Sequence, residues 1–291
     1  MAPRPDQTPV IAIVGETASG KTALALHLAR EFPGEIIAAD SRTVYKDMNI
    51  GTAKPSPAEQ AAIPHYGLDV VSPNEQFSAA DFKRLATDAI NQIGERHKIA
   101  YIVGGTGLYI DSLLYNFQFR KKGAPALRAY LESLDVWQLQ QLLHKDNIPL
   151  PQNALNPRHL IRAIETKGEP ATRSALRPNT LIIGVNIERD VLRKKLVARV
   201  EQMVKQGFID EVKALAQQYG WEAPALQAPG YRAFKNYIEG GGTLEDAMAQ
   251  FVQNDSNLAK RQRTWFKRNK DINWISNTEE AVDLVTTFLN K

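Results

Sequence analysis

Gly15, Gly20, Lys21 and Thr22 stand in the order G-x-x-x-x-G-K-T, within the segment GETASGKT at residues 15–22. This spacing makes a cradle for a chain of phosphates. The glycines let the backbone turn tightly, so that N–H groups converge on phosphate oxygens. Lys21 brings a point charge to the terminal phosphates, and the Thr22 hydroxyl is a magnesium ligand. Thr17, Ala18 and Ser19 complete the loop. Most such loops hold ATP or GTP and need a further acid for the metal. The strand pattern Ile99–Val103 does not end in that acid but runs into Gly104-Gly-Thr-Gly107. The best acidic candidate is Asp40, which follows the strand pattern Glu35–Ala39. An acid there can face the phosphates in a doubly wound sheet. On the residues alone, Asp40 is a magnesium ligand, a base beside the phosphates, or a turn or capping aspartate.

Such a loop works only between a strand and a helix, and the flanks supply both. Val10–Val14 reads as a strand and Lys21–Glu31 as a helix, whose N-terminal dipole adds to the anion site. Further strands are expected at Tyr66–Val71 and Ile99–Val103, with a helix at Ser78–Arg96. Alternating periods of this kind predict an α/β fold: a phosphate-loop core with a mostly parallel sheet flanked by helices. The pattern breaks at Phe117–Pro125, after which come short helical stretches at Leu127–Leu134 and Val136–His144 and a proline-rich loop. Residues 117–155 are therefore expected to be a small helical insertion in a core made of 1–116 and 156–291. A strand at Thr180–Ile187 resumes the core. Helices follow at Arg189–Lys205, Ile209–Tyr219, Tyr231–Glu239 and Leu244–Lys267, then a strand at Ile272–Ile275 and a helix at Glu279–Leu289.

The absence of cysteine excludes disulfides and thiolate metal sites. No apolar run approaches the ~18 residues of a membrane span, and the first residues do not read as a secretory leader. A soluble, cytoplasmic protein is the expectation. The net charge of +4 says little by itself, but its distribution is uneven. Six Lys or Arg and no acid lie between Lys260 and Lys270, with smaller clusters at Arg120–Lys122 and Arg193–Lys195. Unbroken basic clusters point to a polyanion surface. Trp265 and Phe266 lie inside the largest, as stacking surface for nucleic acid or equally as core at helical spacing.

Taken together these motifs resemble the bacterial tRNA dimethylallyltransferase family, also called tRNA isopentenyltransferases or IPP transferases. The family's G-P-T-A-S-G-K-T is GETASGKT here. Its D-S-x-x-x-Y and I-G-T-A-K-P appear in DSRTVYKDMNIGTAKP, Asp40–Pro55. PHYGLD, VGGTGLYI, NPRHLIRAIE, ARVEQM, PGYRAF and AKRQRTWFKR are similar to its later motifs and occur in its order along nearly the whole chain.

The resemblance implies a donor and an acceptor. The loop would hold the diphosphate of dimethylallyl diphosphate with Mg²⁺, on Gly15, Thr17, Ala18, Ser19, Gly20, Lys21 and Thr22. Thr22 and Asp40 would hold the metal. Asp40 would accept the proton of the attacking amine, and Arg199, in ARVEQM, would stabilise the leaving group beside Thr22. The acceptor would be N6 of adenosine 37 in the anticodon stem-loop of tRNAs reading codons that begin with U. Contacts to tRNA would come from Asp40, Ser41, Arg42 and Thr43, from Thr106, and from Arg158, His159, Leu160, Ile161 and Arg162. Others would come from Gln227, Ala228, Pro229, Gly230, Tyr231 and Arg232, and from Lys260, Arg261, Gln262, Arg263, Thr264, Trp265, Phe266 and Lys267. The insertion would lie along the anticodon stem, and a monomer is expected.

Three positions depart from the family pattern. Glu16 replaces its proline inside the loop and is expected to point outward. Asp255-Ser256 stands where Thr-Arg is usual, and His159 where arginine is common. Three rival readings share some features. An adenylate isopentenyltransferase acting on free AMP, ADP or ATP would need neither the insertion nor the basic C-terminal segment. A nucleotide kinase or ATPase would want an acid after Ile99–Val103. An RNA-binding protein with a vestigial loop would not need Gly20, Lys21, Thr22 and Asp40 intact.

Overall fold

Strand β1 (Val10–Gly15) is buried along its whole length because it pairs on both sides, with β4 (Ile99–Gly104) and with β5 (Thr180–Val185). A strand enclosed in this way reads as a continuous apolar run, which VIAIVG is. The structure, a computed structural model, describes residues 8–119 and 123–290; the basic cluster at 120–122 lies outside them. Six strands form one sheet in the order β3-β2-β4-β1-β5-β6, with β2 at Gly34–Ala38, β3 at His65–Tyr66 and β6 at Ile272–Ile275. Every pairing is parallel.

Helices connect the strands: α1 (Lys21–Glu31), α2 (Pro57–Ala62), α3 (Ala79–Glu95) and α4 (Gly107–Leu114) in the first half. Ser56 and Ser78 begin α2 and α3 with reciprocal capping boxes to Glu59 and Asp81. The expected strand Tyr66–Val71 is cut to two residues, since Gly67 and Asp69 take positive φ values of 81° and 54° and turn the chain out of the sheet.

The chain divides into two units. The second spans Tyr115–Ala175 and holds α5 (Pro125–Glu132), α6 (Val136–Lys145) and α7 (Pro157–Glu165). It is longer than the insertion expected at 117–155, because α7 belongs to it. Leu160 and Ile161 of α7 close a small core with Leu131, Leu139 and Leu143. Glu165 at the end of α7 is held by Arg128 and Arg162, each at 3.2 Å.

The first unit continues after β5 with α8 (Arg189–Lys205), α9 (Phe208–Tyr219), a 3₁₀ turn at Ala225–Gln227, α10 (Pro229–Ala233), α11 (Lys235–Ile238), α12 (Leu244–Phe266) and, past β6, α13 (Thr278–Leu289). The single helix expected at Tyr231–Glu239 is broken at Phe234, which inserts fully buried against Phe208 and Phe251. Two cores result. One fills the space between the sheet and α1 and α13; the other, centred on Phe208, Tyr231, Phe234 and Phe251, joins α8 to α12 with Val44 and Met48. Among the described residues no helix is long and apolar enough to cross a membrane.

Candidate active site

The carboxyl ends of β1, β2 and β4 deliver three loops to one edge of the sheet, where a doubly wound fold takes its ligands. β1 leads to the phosphate loop, β2 to Asp40 and β4 to Gly104-Gly105-Thr106. Between them lies a cavity of about 360 Å³, whose lining includes Thr17, Gly20, Lys21, Thr22, Asp40 and Arg199. The rest of its lining mixes apolar residues, among them Ala25, Ile36, Ala38, Leu68 and Val103, with the polar Thr43, Thr52, His65 and Gln262.

Gly20 sits at φ 99° as the residue before α1, a left-handed conformation that a side chain would strain. It turns the chain so that Lys21 opens the helix inside the cavity. The Lys21 ammonium donates to the Glu16 carbonyl. Burial is the main force on it and pushes its pKa down to about 8; nearby Arg199 adds to the fall, while Asp40 and Glu16 oppose it. Arg199, on α8, reaches the loop from the far side and donates to Thr17 Oγ1 at 2.7 Å. Its Nε is buried without a partner. Ser19 Oγ is likewise buried and unpartnered, whereas Thr22 is exposed. The site is thus cationic and carries unused donors, as an anion site requires.

Asp40 takes the turn role left open by the sequence and also lines the cavity. Its Oδ1 accepts the Arg42 N–H at 2.8 Å, which closes a local turn. No hydrogen bond from a described residue reaches Oδ2, and the residue lines the cavity. Thr106 fixes this turn from the neighbouring loop: its hydroxyl accepts the Ser41 N–H at 3.0 Å and its own N–H donates to Ala39 O at 3.2 Å. Thr43 is buried beneath, with its hydroxyl 3.4 Å from Asp40 O.

Helix α12 braces the phosphate loop. Its buried face carries Asp255, Ala259, Gln262 and Phe266, spaced by four, three and four residues. Gln262 accepts the Thr17 N–H at 2.7 Å and donates to Gly105 O at 3.0 Å. A Cβ at Gly105 would collide with the Gln262 amide and push it from this bridge. Next along the helix, Arg263 pairs with the carboxylate of Glu16, with one contact at 3.1 Å. Glu16 therefore does not point outward, as its sequence position suggested; it is 6% exposed and neutralised in place. Asp255 is also inward. Burial raises its carboxyl pKa, Arg199 pulls the other way, and Asp40 adds to the rise.

Several residues expected at an RNA surface are instead packed inside. Leu160 and Ile161 are core of the second unit, while Arg158 and His159 beside them are exposed and Arg162 is tied to Glu165. Ala228, Gly230 and Tyr231 are buried, Gln227 donates to Trp221 O, and Pro229 and Arg232 are exposed. Gln262 and Phe266 are buried on α12, whereas Lys260, Arg261, Thr264, Trp265 and Lys267 are exposed. The physical reason is helical periodicity, since an unbroken motif on a helix must divide between two faces. Trp265 lies 40% exposed and donates from Nε1 to Asp111 at 2.9 Å. Sequence reasoning missed Thr52, Ala53 and Pro55, which line the cavity, and Glu211, which holds their loop from 160 residues away. Thr52, Ala53 and Pro55 lie in the family-like segment IGTAKP, the signal that could have found them, whereas nothing local gives Glu211 its partners.

Known proteins resemble this chain over nearly its whole length. The IPP transferase family model matches residues 43–269. A tRNA dimethylallyltransferase of Picosynechococcus sp. is 39% identical, covering 96% of this chain and 98% of its own. A second, from Roseiflexus castenholzii, is 42% identical over 95% of each. Among solved structures, the full-length tRNA isopentenylpyrophosphate transferase of Bacillus halodurans aligns with a TM-score of 0.75 and 35% identity over 98% of this chain and 96% of that one. A eukaryotic dimethylallyltransferase acting on tRNA aligns with a TM-score of 0.84 and 26% identity, over 98% and 80%. With its motifs in family order and the match running through both units, the chain belongs to the IPP transferase family.

Proposed function

We propose that the protein transfers the dimethylallyl group of dimethylallyl diphosphate to N6 of adenosine 37 in tRNAs reading codons that begin with U. The products are N6-dimethylallyladenosine and diphosphate. The observation that carries this reading is one cavity whose lining brings together Lys21 and Arg199, the Asp40 carboxylate and several apolar side chains. The names of the relatives support tRNA as the acceptor in preference to a free adenine nucleotide.

The residues divide the work. Loop N–H groups, Lys21 and Arg199 bind the diphosphate and stabilise the charge that grows on it as the C1–O bond breaks. The five-carbon group lies against Ala25, Ile36, Ala38, Leu68 and Val103. The N6 lone pair forms the new bond to C1, and the N6 proton passes to Asp40. N6 is a weak nucleophile, since its lone pair is delocalised into the ring, and general-base help of this kind contributes roughly 10²- to 10⁴-fold. The target base must first leave its stack.

A magnesium ion takes few protein oxygens and completes its shell with phosphate and water. The exposed Thr22 hydroxyl and the free Asp40 Oδ2 suit that donor set. These two residues would hold it, and the ion when bound neutralises charge on the diphosphate. Exposed cations on α12 and in the second unit, including Lys260, Arg261, Lys267 and Arg158, would engage tRNA phosphates.

The test offers labelled dimethylallyl diphosphate and Mg²⁺ with unmodified tRNA and, separately, with AMP. Label should enter the tRNA and be lost when adenosine 37 is replaced by guanosine. Label in AMP alone, or in neither acceptor with ATP hydrolysed instead, would overturn the reading.

A further inference from the structure

Three consecutive backbone N–H groups, those of Asn49, Ile50 and Gly51, converge on the carboxylate of one distant residue, Glu211 of α9. Oε2 accepts from Asn49 at 2.8 Å and from Ile50 at 2.7 Å, while Oε1 accepts from Gly51 at 3.0 Å. Tyr231, 1% exposed on α10, donates its hydroxyl to Oε1 at 2.6 Å. Four donors on one ionised carboxylate make a strong, directional clamp. Gly51 has to be glycine here, because a Cβ would collide with the ring of Phe208 and crowd the Tyr231 hydroxyl.

What the clamp holds is a wall of the cavity. Beyond Gly51 the chain closes on itself: Ala53 N–H donates to Ile50 O at 2.9 Å, and Lys54 N–H to Asn49 O at 3.0 Å. Thr52 Oγ1 donates to Met48 O at 2.6 Å. Ala53 takes a φ of 49°, a conformation that needs its surroundings to hold it. Thr52, Ala53 and Pro55 then face the cavity shared with Lys21, Asp40 and Arg199. None of Asn49, Ile50 or Gly51 belongs to a helix or strand, so its N–H has no ladder to join, and Glu211 is what satisfies all three.

We propose that Glu211, with Tyr231, is a positioning residue for the cavity: it fixes the loop at residues 49–55 against α9 so that the wall formed by Thr52, Ala53 and Pro55 stands ready for the donor. In this assignment Tyr231 serves the cavity from inside the fold. The proposal rests on dimethylallyl diphosphate being the donor, and wild-type transfer to tRNA checks that premise separately.

The experiment compares wild type with Glu211→Gln, Glu211→Ala and Tyr231→Phe, all at a temperature where circular dichroism shows each folded. Two readouts are taken: KM for the donor against kcat, and hydrogen exchange of the amides at residues 49–51 against those of Val212 and Leu215 in α9. The Glu211 variants should raise donor KM about tenfold with kcat within about threefold, the signature of lost binding geometry. Exchange should rise at 49–51 and stay slow in α9. Tyr231→Phe should show the same pattern more weakly, and keeps the test decisive if a Glu211 variant does not fold. A lowered melting temperature with donor KM and loop exchange unchanged would reduce Glu211 to a structural role and overturn the proposal. If wild type itself transfers no label, the donor reading has failed; loop exchange still judges the clamp.

Discussion

Arg263 of α12 pairs with Glu16 inside the glycine-rich loop, so an acid in the loop is neutralised by a helix 247 residues further along the chain. The side chains are 19% and 9% exposed. Removing one partner strands the other as a buried charge, which costs roughly 3–5 kcal/mol, whereas removing both costs less than the sum. Urea unfolding of Glu16→Ala, Arg263→Ala and the double variant should therefore show coupling of about 1 kcal/mol or more. Arg263→Ala should also weaken donor binding, because an unpaired Glu16 then faces the diphosphate. Additive losses would show the pair to be incidental.

Asp40→Ala and Asp40→Asn should fold and bind tRNA while losing roughly 10²- to 10⁴-fold in single-turnover rate, the range of general-base catalysis. Near-normal turnover would remove Asp40 from proton transfer.

Lys21 gives the reaction a pH limb. Burial pushes its ammonium pKa down to about 8, so in the free enzyme the charge is lost as pH rises through that value. Under the proposed function, the charged form is the one that would bind diphosphate. kcat/KM for the donor should thus be level below pH 8 and fall about tenfold per unit above it. Donor binding above pH 8 should take up a proton, measurable by calorimetry in two buffers. Lys21→Arg, which stays charged, should abolish the limb whatever its absolute rate. The same depression makes the lysine destabilising to the fold below pH 8, a penalty relieved as pH rises from 8 toward 10.5, where the unfolded chain holds the extra proton.

The two faces of α12 should separate in assay. Lys260→Ala, Arg261→Ala and Lys267→Ala alter exposed cations and should weaken tRNA binding. Each cation that engages a phosphate should, when removed, reduce the log–log salt slope by roughly 0.7–0.9. Gln262→Ala releases the Thr17 N–H and Gly105 O and should raise donor KM while leaving tRNA affinity within about twofold.

In the second unit, Leu160→Ala should destabilise the helical core by about 2–5 kcal/mol, the cost of deleting a fully buried leucine. Arg158→Ala, on the exposed face of the same helix, should leave stability unchanged. Thermal melts of the two variants distinguish packing from surface roles within one motif.

By itself the sequence determined whatever depends on residues close along the chain. The run Val10–Val14, the GETASGKT turn and the helix after it follow from local propensity and from the left-handed φ that Gly20 tolerates. The position of Asp40 at a strand end was legible for the same reason, as were the long helices with clear apolar faces. The tertiary structure decided which side of each motif faces inward, because a motif along a helix looks continuous in sequence and is split by the rotation from one residue to the next. That is why Gln262 and Phe266 brace the interior while Lys260 and Arg261 remain at the surface. It also decided the partnerships of Glu16 with Arg263, Thr17 with Arg199 and Glu211 with residues 49–51. Each joins segments more than 150 residues apart, and such pairs depend on packing distances between helices, which no local pattern encodes.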